Sequence, residues 1–436
     1  MACSKIEKTE GELGNLSIAS WTTASHTSLP PREREGKVIS CNRSLYGKLM
    51  APIGDSTPIL FGWWPRFAPW DQNDLRERTT RCLPAVRPGI DVVALPKACG
   101  LQAHIELYCK AMRLQPWQVC YFAASTPSEA LQEVFAAFPK HWEAEHVAFY
   151  PMYVTEEMQA VAHSLGFGLV IGDAMQHPLG ELANAKAWLH PHINPAKRDS
   201  SLRDLDLGGC ARGPQGYIAS SGTELKQAFT TLMNELNDGA KLVLKPSWAS
   251  GGAGVILDVS EADLESFDFP DVAGHSAILE EMIEGLGELQ SPTLYMIGGE
   301  PCGLLGDQLL RDGGSVNLGN RWPSEQSTEK RTQDCISAAL ALQKHWQLTS
   351  NWGLDYVIDS NEVPVIVDLN MGRPNGNFAV RLWESTYPQQ LFLHTGSFQT
   401  PADASCSILF DILESQGLLW NDCNLEGILV YQFLPG

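Results

Sequence analysis

Two apolar segments in the last third of the chain carry acidic residues within them, and this pattern restricts the fold strongly. Residues 352–359 and 363–373 are predicted to form adjacent strands joined by a short turn. Such strands would place Asp355 and Asp368 at cross-strand distance, with Asn370 on the same face as Asp368 because side chains alternate. Two carboxylates and an amide oxygen on one sheet face are hard ligands that suit Mg²⁺.

A solvated acidic hairpin is the simpler alternative for this pair of strands. Asp368, however, lies between Val367 and Leu369 in a strand that is otherwise apolar. Burying an unpaired carboxylate is unfavourable, so bound cations explain the pattern better than an exposed hairpin does. We therefore predict a metal site at Asp355, Asp368 and Asn370.

A lysine at the end of an apolar strand, followed by a loop of small residues, gives a second candidate site. Lys245 ends the strand, residues 246–254 form the loop, and Val255 begins the next strand. Small residues let backbone N–H groups approach phosphate oxygens, and the lysine adds positive charge. In a P-loop the lysine closes the loop and a helix follows, so this is a different pattern. A plain hairpin turn is the alternative, because glycine is common in turns.

Residues 278–288 form a third pattern, an apolar strand that ends in acidic residues. Backbone and carboxylate groups around Glu281, Met282 and Ile283 could bind an adenine edge in an apolar cleft. Glu288 could accept hydrogen bonds from both hydroxyls of a ribose. Taken alone, the pattern also fits a solvated strand end.

The first 180 residues alternate short apolar segments with amphipathic stretches. The predicted strands lie at residues 59–61, 92–95, 119–122, 147–150 and 169–171, and the predicted helices at 128–138 and 155–165. This alternation favours a parallel sheet covered by helices. No GxGxxG sequence follows these strands, so a dinucleotide site has little support there.

The sequence divides into four predicted parts. Residues 1–36 are polar and lack the apolar core of a signal peptide or membrane span, so a disordered leader is expected. An N-terminal α/β domain at 37–180 precedes a nucleotide-binding unit at 181–285. A metal- and substrate-binding unit at 286–436 completes the chain.

Residues 190–216 are rich in Pro, Asp, Arg and Gly and lack a clear period. This composition favours an irregular connection that leads into the unit from about Tyr217 to Gly285. His190 and His192 fall at its start, and we expect them in a loop and not on a metal.

Charge and cysteine usage exclude several classes of protein. The formal net charge of -20 repels phosphate backbones, so no nucleic-acid partner is expected. The 11 cysteines include no CxxC pair, which fits neither a zinc site nor a compact disulfide framework. We expect a cytoplasmic protein without a membrane segment.

Taken together and in this order, the three motifs resemble those of the ATP-grasp superfamily of carboxylate–amine ligases. The similarity is strongest to D-alanine–D-alanine ligases and to the L-amino acid ligases that form small peptides, and it covers residues 241–377 well. The resemblance implies an ATP-grasp fold, with α+β nucleotide and metal subdomains after an N-terminal α/β domain. It also implies ATP and two Mg²⁺ ions, with Mn²⁺ as an alternative.

The resemblance assigns roles to individual residues. Lys245 is similar to the lysine that contacts the α- and β-phosphates, and Lys186 to the family's earlier phosphate lysine. The other correspondences are the γ-phosphate loop at Ser250, Gly251, Gly252 and Gly254, the adenine hinge at Glu281, Met282 and Ile283, the ribose carboxylate at Glu288, and the metal ligands at Asp355, Asp368 and Asn370. Asp368 replaces the usual Glu, and its shorter side chain should still coordinate.

The catalytic arginine departs from the family pattern. D-alanine ligases have an arginine two residues before the first metal Asp, where this chain has Gly353. Arg373 is the first candidate to replace it, although it follows Asn370 one position later than in many relatives. Arg311 and Arg321 are further candidates, because a guanidinium can bind two oxygens of a carboxylate or phosphoryl group.

These implications predict an enzyme that joins a carboxylate to an amine. The carboxylate would take the γ-phosphoryl group of ATP to form an acylphosphate, and the amine would displace phosphate, so that ADP and phosphate are released. The expected substrates are small molecules, an amino acid or related acid and an amine, in peptide or specialised-metabolite biosynthesis.

Three other functions stay open at this point. The acceptor could be a carrier-protein thiol, the chain could be a non-catalytic ATP-binding regulator, or it could be a carboxylate kinase. Intact candidate metal ligands argue against a regulator, whereas Gly353 supports it. A carrier protein and a second copy of the chain stay open as partners.

Overall fold

The computed structural model places three sheets with associated helices in the residues that it describes. The described residues are 13–23, 59–62, 90–97, 101–111, 118–123, 126–137, 146–151, 156–167, 169–170, 185–194, 207–237, 239–247, 254–269, 276–285, 290–297, 299–302, 305–311, 316–348, 352–371, 391–401, 405–419 and 427–433. Within these ranges, no helix has the length and apolar character needed to cross a membrane.

The elements are numbered in chain order. The strands are β1 (Leu13–Thr23), β2 (Ile59–Gly62), β3 (Val92–Pro96), β4 (Gln118–Phe122), β5 (Ala148–Pro151), β6 (Leu169–Val170), β7 (Gly216–Ala219), β8 (Leu242–Pro246), β9 (Ile256–Leu257), β10 (Ala277–Glu281), β11 (Gln290–Ile297), β12 (Glu300–Pro301), β13 (Gly306–Arg311), β14 (Val316–Trp322), β15 (Trp352–Ile358), β16 (Pro364–Met371), β17 (Leu391–Pro401) and β18 (Gly427–Phe433). The helices are α1 (Leu101–Ala111), α2 (Pro127–Ala136), α3 (Glu156–Ser164), α4 (Lys186–Ile193), α5 (Gly222–Glu235), α6 (Glu261–Ser266), α7 (Glu329–Trp346) and α8 (Cys406–Ser415).

The first sheet has five parallel strands in the order β4-β3-β2-β5-β6. Its core includes Leu60 and Phe149 from the strands, packed against Leu131 of α2 and Ala162 of α3. The predicted N-terminal α/β architecture with a parallel sheet is therefore confirmed.

The second sheet is antiparallel, in the order β7-β10-β8-β9. Helices α5 and α6 cover one face, where Leu225, Leu244 and Leu279 belong to one buried cluster. Helix α5 begins after Ser221, whose hydroxyl accepts a hydrogen bond from the Glu224 amide and so caps the helix. Helices α5 and α6 leave the opposite face of this sheet uncovered.

The third sheet is antiparallel and has the order β16-β15-β11-β13-β14-β17-β1-β18, with β12 paired to β11. Leu342 of α7 and Trp352 and Tyr356 of β15 lie in one buried core. Leu189 of α4 belongs to the same core, so the segment that carries Lys186 is packed against the sheet that carries the predicted metal ligands.

The predicted disordered leader is wrong for residues 13–23. They form strand β1, which pairs with β17 along its whole length and with β18 on its other side. A strand bonded on both sides satisfies its backbone groups, which is why this polar segment is ordered. The rest of the leader lies outside the described residues, as do residues 37, 180, 181 and 286 at the predicted domain boundaries.

The prediction of a loop at His190 and His192 is also wrong, because both residues lie on helix α4. Pro191 disfavours a helix interior, but the helix ends two residues later. Burial of Leu189 and Ile193 in the large core stabilises this short helix against the proline.

Candidate active site

The predicted pair of acidic strands is present, and it brings the candidate metal ligands together. Strands β15 and β16 are antiparallel, with Asp355 opposite Asp368 and Gly353 opposite Asn370. The Asn370 amide donates a hydrogen bond to Asp355 Oδ2 at 3.0 Å. The candidate centre thus brings together two carboxylates and one amide. Among the described residues, no group of three His, Cys, Asp or Glu side chains is placed to hold a metal ion.

The two carboxylates disturb each other electrostatically. Burial and the nearby Asp368 raise the pKa of Asp355 to about 6, although hydrogen bonds from Thr293 and Gln308 and the charge of Lys186 act in the opposite direction. A divalent cation would relieve this repulsion, and the donors are the hard oxygens that Mg²⁺ prefers. The residues present therefore fit the metal that the sequence predicted.

Lys186 is the first residue of α4, and its side chain reaches the candidate metal centre. The Nζ atom lies 2.7 Å from Asp368 Oδ2, and the two side chains are 11% and 22% exposed. The Lys186 amide donates to the Ser247 carbonyl at 2.9 Å, which fixes the start of the helix beside the end of β8. The family resemblance implies a phosphate role for Lys186, and the structure places its ammonium group beside Asp368 on β16.

The side chain of Lys245, at the end of β8, also reaches strand β16. Its ammonium group forms an ion pair with Glu280 and donates to the Val367 carbonyl at 3.3 Å. His190 Nδ1 lies 3.4 Å from Glu280 Oε2. Burial acts to raise the pKa of Glu280, but the charge of Lys245 and the hydrogen bond of His190 outweigh it and lower the pKa. Glu280 is therefore ionised at neutral pH and holds Lys245 in position.

The two lysines meet at consecutive residues of β16. Lys186 contacts Asp368 and Lys245 contacts Val367. They come from a helix and from a strand of the second sheet, and Asp355 lies across from Asp368 on β15. Two ammonium groups beside two carboxylates form a site that can bind a polyphosphate together with a cation.

The predicted adenine hinge lies at the end of β10, and the Glu281 carboxylate is already engaged there. Its Oε1 accepts hydrogen bonds from Arg212 Nη1 at 2.5 Å and from the Gln215 amide at 2.9 Å. The Glu281 amide donates to the Gln215 carbonyl, and the Met282 amide donates to the Lys241 carbonyl. The Glu281 carboxylate and the Glu281 and Met282 amides are therefore bonded within the protein, and adenine binding at 281–283 stays a prediction.

Several predicted site residues cannot be placed in this geometry. Ser250, Gly251, Gly252, Glu288 and Arg373 lie outside the described residues, and the structure describes only the backbone of Arg311, on β13.

Gly254, at the end of the loop, is described and has a left-handed φ of 72°. A Cβ at this position would lie 2.9 Å from Pro246 Cγ, so both backbone conformation and space favour glycine there.

Arg321 is committed to protein contacts. Its Nη2 lies 2.9 Å from Asp307 Oδ2, and its Nη1 pairs with Glu325. Asp307 is fully buried, so Arg321 neutralises a charge that would otherwise be isolated in the core. These contacts explain the position of Arg321 without a substrate.

The sequence analysis missed Glu280 and Arg212. The signal for Glu280 lies in strand pairing: Ile278 is opposite Lys245, so Glu280, two residues later, faces the same side as the lysine. Glu280, a buried acid on the same sheet face as Lys245, was therefore a better candidate for a site residue than the neighbouring Glu281. Arg212 had no local signal, because its partners are far along the chain.

Sequence comparisons give no related family, since no family model and no curated protein sequence matches the chain. Solved structures give similarity at low identity. The biotin carboxylase domain dimer of Hydrogenobacter thermophilus 2-oxoglutarate carboxylase, in complex with MgADP, ADP and bicarbonate, is 15% identical, with a TM-score of 0.48 over 75% of this chain and 69% of that chain.

Two further solved structures show the same level of similarity. Campylobacter jejuni biotin carboxylase, in a β-γ-ATP complex, is 14% identical with a TM-score of 0.49, over 76% of this chain and 71% of that chain. Staphylococcus aureus N5-carboxyaminoimidazole synthetase, complexed with ADP, is 11% identical with a TM-score of 0.47, over 78% and 80%. At these values the similarity assigns no function to this chain.

Proposed function

We propose that this chain is an ATP-dependent ligase of the ATP-grasp type that joins a carboxylate to an amine. The observation that supports this most is that Lys186 and Lys245 meet at Asp368 and Val367, across from Asp355. Phosphoryl transfer needs positioning and charge neutralisation more than covalent help from the protein. A site of lysines and paired carboxylates supplies both.

Each group would have a defined role in the proposed reaction. Asp355, Asp368 and Asn370 would hold Mg²⁺, which neutralises charge on the phosphates when it is bound. Lys245, held by Glu280, would donate to phosphate oxygens. Lys186 would exchange Asp368 for a phosphate oxygen when the nucleotide enters.

The rest of the proposal concerns residues 247–253 and the substrates. This loop would close over the γ-phosphate and keep water from the acylphosphate, which hydrolyses readily. The carboxylate would be an amino acid or related acid, activated as its acylphosphate. An amine would then displace phosphate to give the amide, with ADP as the second product.

The test is release of ADP and phosphate from MgATP in the presence of amino acids, singly and in pairs, with mass spectrometry of the products. A ligase should release phosphate only with both substrates and should form a product with the condensed mass. Asp368→Ala serves as the control and should abolish this release. Failure of the wild-type chain to bind MgATP or MgADP would overturn the proposal.

The same assay separates the other functions. Phosphate release with an acid and no amine would indicate a carboxylate kinase. Turnover that requires a carrier-protein thiol would change the acceptor class, and ATP binding without turnover under any condition would indicate a regulator.

A further inference from the structure

Arg212 connects the two sheets that the proposed nucleotide site requires. Its backbone forms a parallel bridge with Val365 of β16. The Arg212 amide donates to the Pro364 carbonyl at 3.1 Å, and the Ile366 amide donates to the Arg212 carbonyl at 2.8 Å. This bridge fixes Arg212 to the strand that carries Asp368.

The side chain of Arg212 extends from this bridge to two carboxylates. Nη1 lies 2.5 Å from Glu281 Oε1, and Nη2 lies 3.4 Å from Asp359 Oδ2. Glu281 ends β10, whereas Asp359 opens the turn between β15 and β16. Asp359 Oδ1 also accepts the amides of Asn361 and Val363, at 2.9 Å each, so the acid is held firmly in that turn.

We propose that Arg212 is a positioning residue that holds the strand end at 281–283 against the β15–β16 hairpin, and so fixes the spacing between the adenine-binding backbone and the metal carboxylates. The inference rests on the proposed function. A guanidinium suits this task because its planar group directs separate nitrogens at two carboxylates, whereas an ammonium is a compact point charge without fixed donor directions.

The burial of these charges determines what removing Arg212 would do. The side chains of Arg212, Glu281 and Asp359 are 36%, 21% and 10% exposed. Without the arginine, two largely buried carboxylates would face each other with no cation between them. They would separate by repulsion, and the strand end would move away from the hairpin.

A positioning role for Arg212 predicts a specific kinetic pattern. Arg212→Ala should raise the KM for ATP and the Kd for MgADP about tenfold, since the adenine and phosphate contacts no longer fit together. The kcat should change less than about threefold, because Lys186, Lys245 and Asp368 keep their contacts. Arg212→Lys should recover only part of the affinity. A merely structural residue would lower the folded fraction and leave the KM unchanged.

Arg331 provides a matched control. Its Nη2 lies 3.1 Å from Glu362 Oε1 in the same turn, its Nη1 donates to the Gln326 carbonyl, and its side chain is 15% exposed. No described contact joins it to Glu281. Arg331→Ala should therefore disturb the same turn while leaving the MgADP affinity within about twofold of the wild type.

The experiment is calorimetric titration of the full chain with MgADP. It compares the wild type with Arg212→Ala, Arg212→Lys, Glu281→Gln, the Arg212→Ala/Glu281→Gln double variant and Arg331→Ala. The double variant should bind no more weakly than Arg212→Ala alone, because Glu281→Gln breaks the same Arg212–Glu281 contact and also removes the repulsion between Glu281 and Asp359. Wild-type affinity in folded Arg212→Ala, or additive losses in the double variant, would overturn the inference.

A second readout separates this inference from the proposed function. Amide hydrogen exchange at residues 281–283, measured without nucleotide, should be at least about tenfold faster in Arg212→Ala than in Arg331→Ala. If the wild type does not bind MgADP, the proposed function fails, and exchange still shows whether Arg212 holds the strand end. Equal exchange in the two variants would reject the positioning role.

Discussion

Lys186 and Asp368 are 182 positions apart in the sequence, and their side chains form an ion pair with an Nζ–Oδ2 distance of 2.7 Å. The lysine supplies positive charge beside Asp355 and Asp368, which face each other on neighbouring strands. It therefore helps two like charges to share one sheet face. It also means that any metal ion bound at Asp368 must compete with an ammonium group.

Removing Lys245 should destabilise the fold because it leaves Glu280 as a buried carboxylate without its main cation. Breaking a buried ion pair by removing one partner is strongly destabilising, and we expect Lys245→Met to lower the free energy of unfolding by about 3 kcal/mol. The Lys245→Met/Glu280→Gln double variant should regain most of this loss. Urea unfolding at pH 7 measures both values.

MgADP binding should separate stability from function in these variants. Both the single and the double variant should bind MgADP weakly, because each lacks the proposed phosphate lysine. A double variant as unstable as Lys245→Met would show that the isolated Glu280 charge is not the cause.

Asp355→Asn should make the protein more stable and less active. Burial and Asp368 raise the pKa of Asp355 to about 6, above its ordinary value of 3.8. The folded state thus holds the proton more tightly than the unfolded state, and stability falls as the pH rises from about 4 to 6. At pH 7 the full penalty is present, so removing the charge should raise the free energy of unfolding by up to about 3 kcal/mol.

The pH dependence of this variant provides the check. Its stability advantage over the wild type, measured by urea unfolding, should disappear below about pH 4, where Asp355 is protonated in both states. MgATP-dependent phosphate release should fall at least about 100-fold at pH 7. A variant less stable than the wild type at pH 7 would contradict this account.

The metal strands could be predicted from sequence because their information is local. Asp355 and Asp368 lie on strands joined by a short turn, so alternation within each strand sets which side chains share a face. The strand that ends with Lys245 and Pro246 is an equally local feature. Glu280 required knowledge of which strand lies beside β8, and no periodicity within β10 contains that information.

The parts that sequence analysis missed depend on distant contacts. Arg212 meets Glu281 and Asp359 across 69 and 147 positions, so neither neighbour is visible near it in the sequence. Strand β1 pairs with β17 near the opposite end of the chain. Helix α4 contains Pro191, which suggests a loop, and it forms because tertiary packing outweighs that local signal.

His192 should reduce the stability of the protein as the pH falls below about 6.5. Its ring centroid lies 4.2 Å from that of Trp188 and 5.5 Å from that of Trp346. Burial and the charge of His345 lower its pKa from 6.5 to about 4. Between these values the unfolded state binds a proton that the folded state excludes, so stability falls with falling pH. The ring is partly solvated, and screening limits the effect to about 1 kcal/mol.

Urea unfolding at pH 7 and pH 5 tests this titration. His192→Phe keeps an aromatic ring and cannot titrate, so it should lose less stability than the wild type between the two pH values. His163→Phe is the control at an exposed helical position and should behave like the wild type. An equal loss in His192→Phe and the wild type would assign the effect to other groups.

Lys186→Met should change the binding of metal and of nucleotide in opposite directions. Mn²⁺ alone, followed by electron paramagnetic resonance, should bind about tenfold more tightly, because Asp368 no longer has a competing ammonium partner. MgADP should bind about tenfold more weakly in calorimetry, because one proposed phosphate donor is lost. Lys226→Met removes an exposed lysine that pairs with Glu265 at 3.1 Å, and it should change neither value. A parallel loss of Mn²⁺ and MgADP affinity in Lys186→Met would mean that the lysine supports the metal site instead of competing for it.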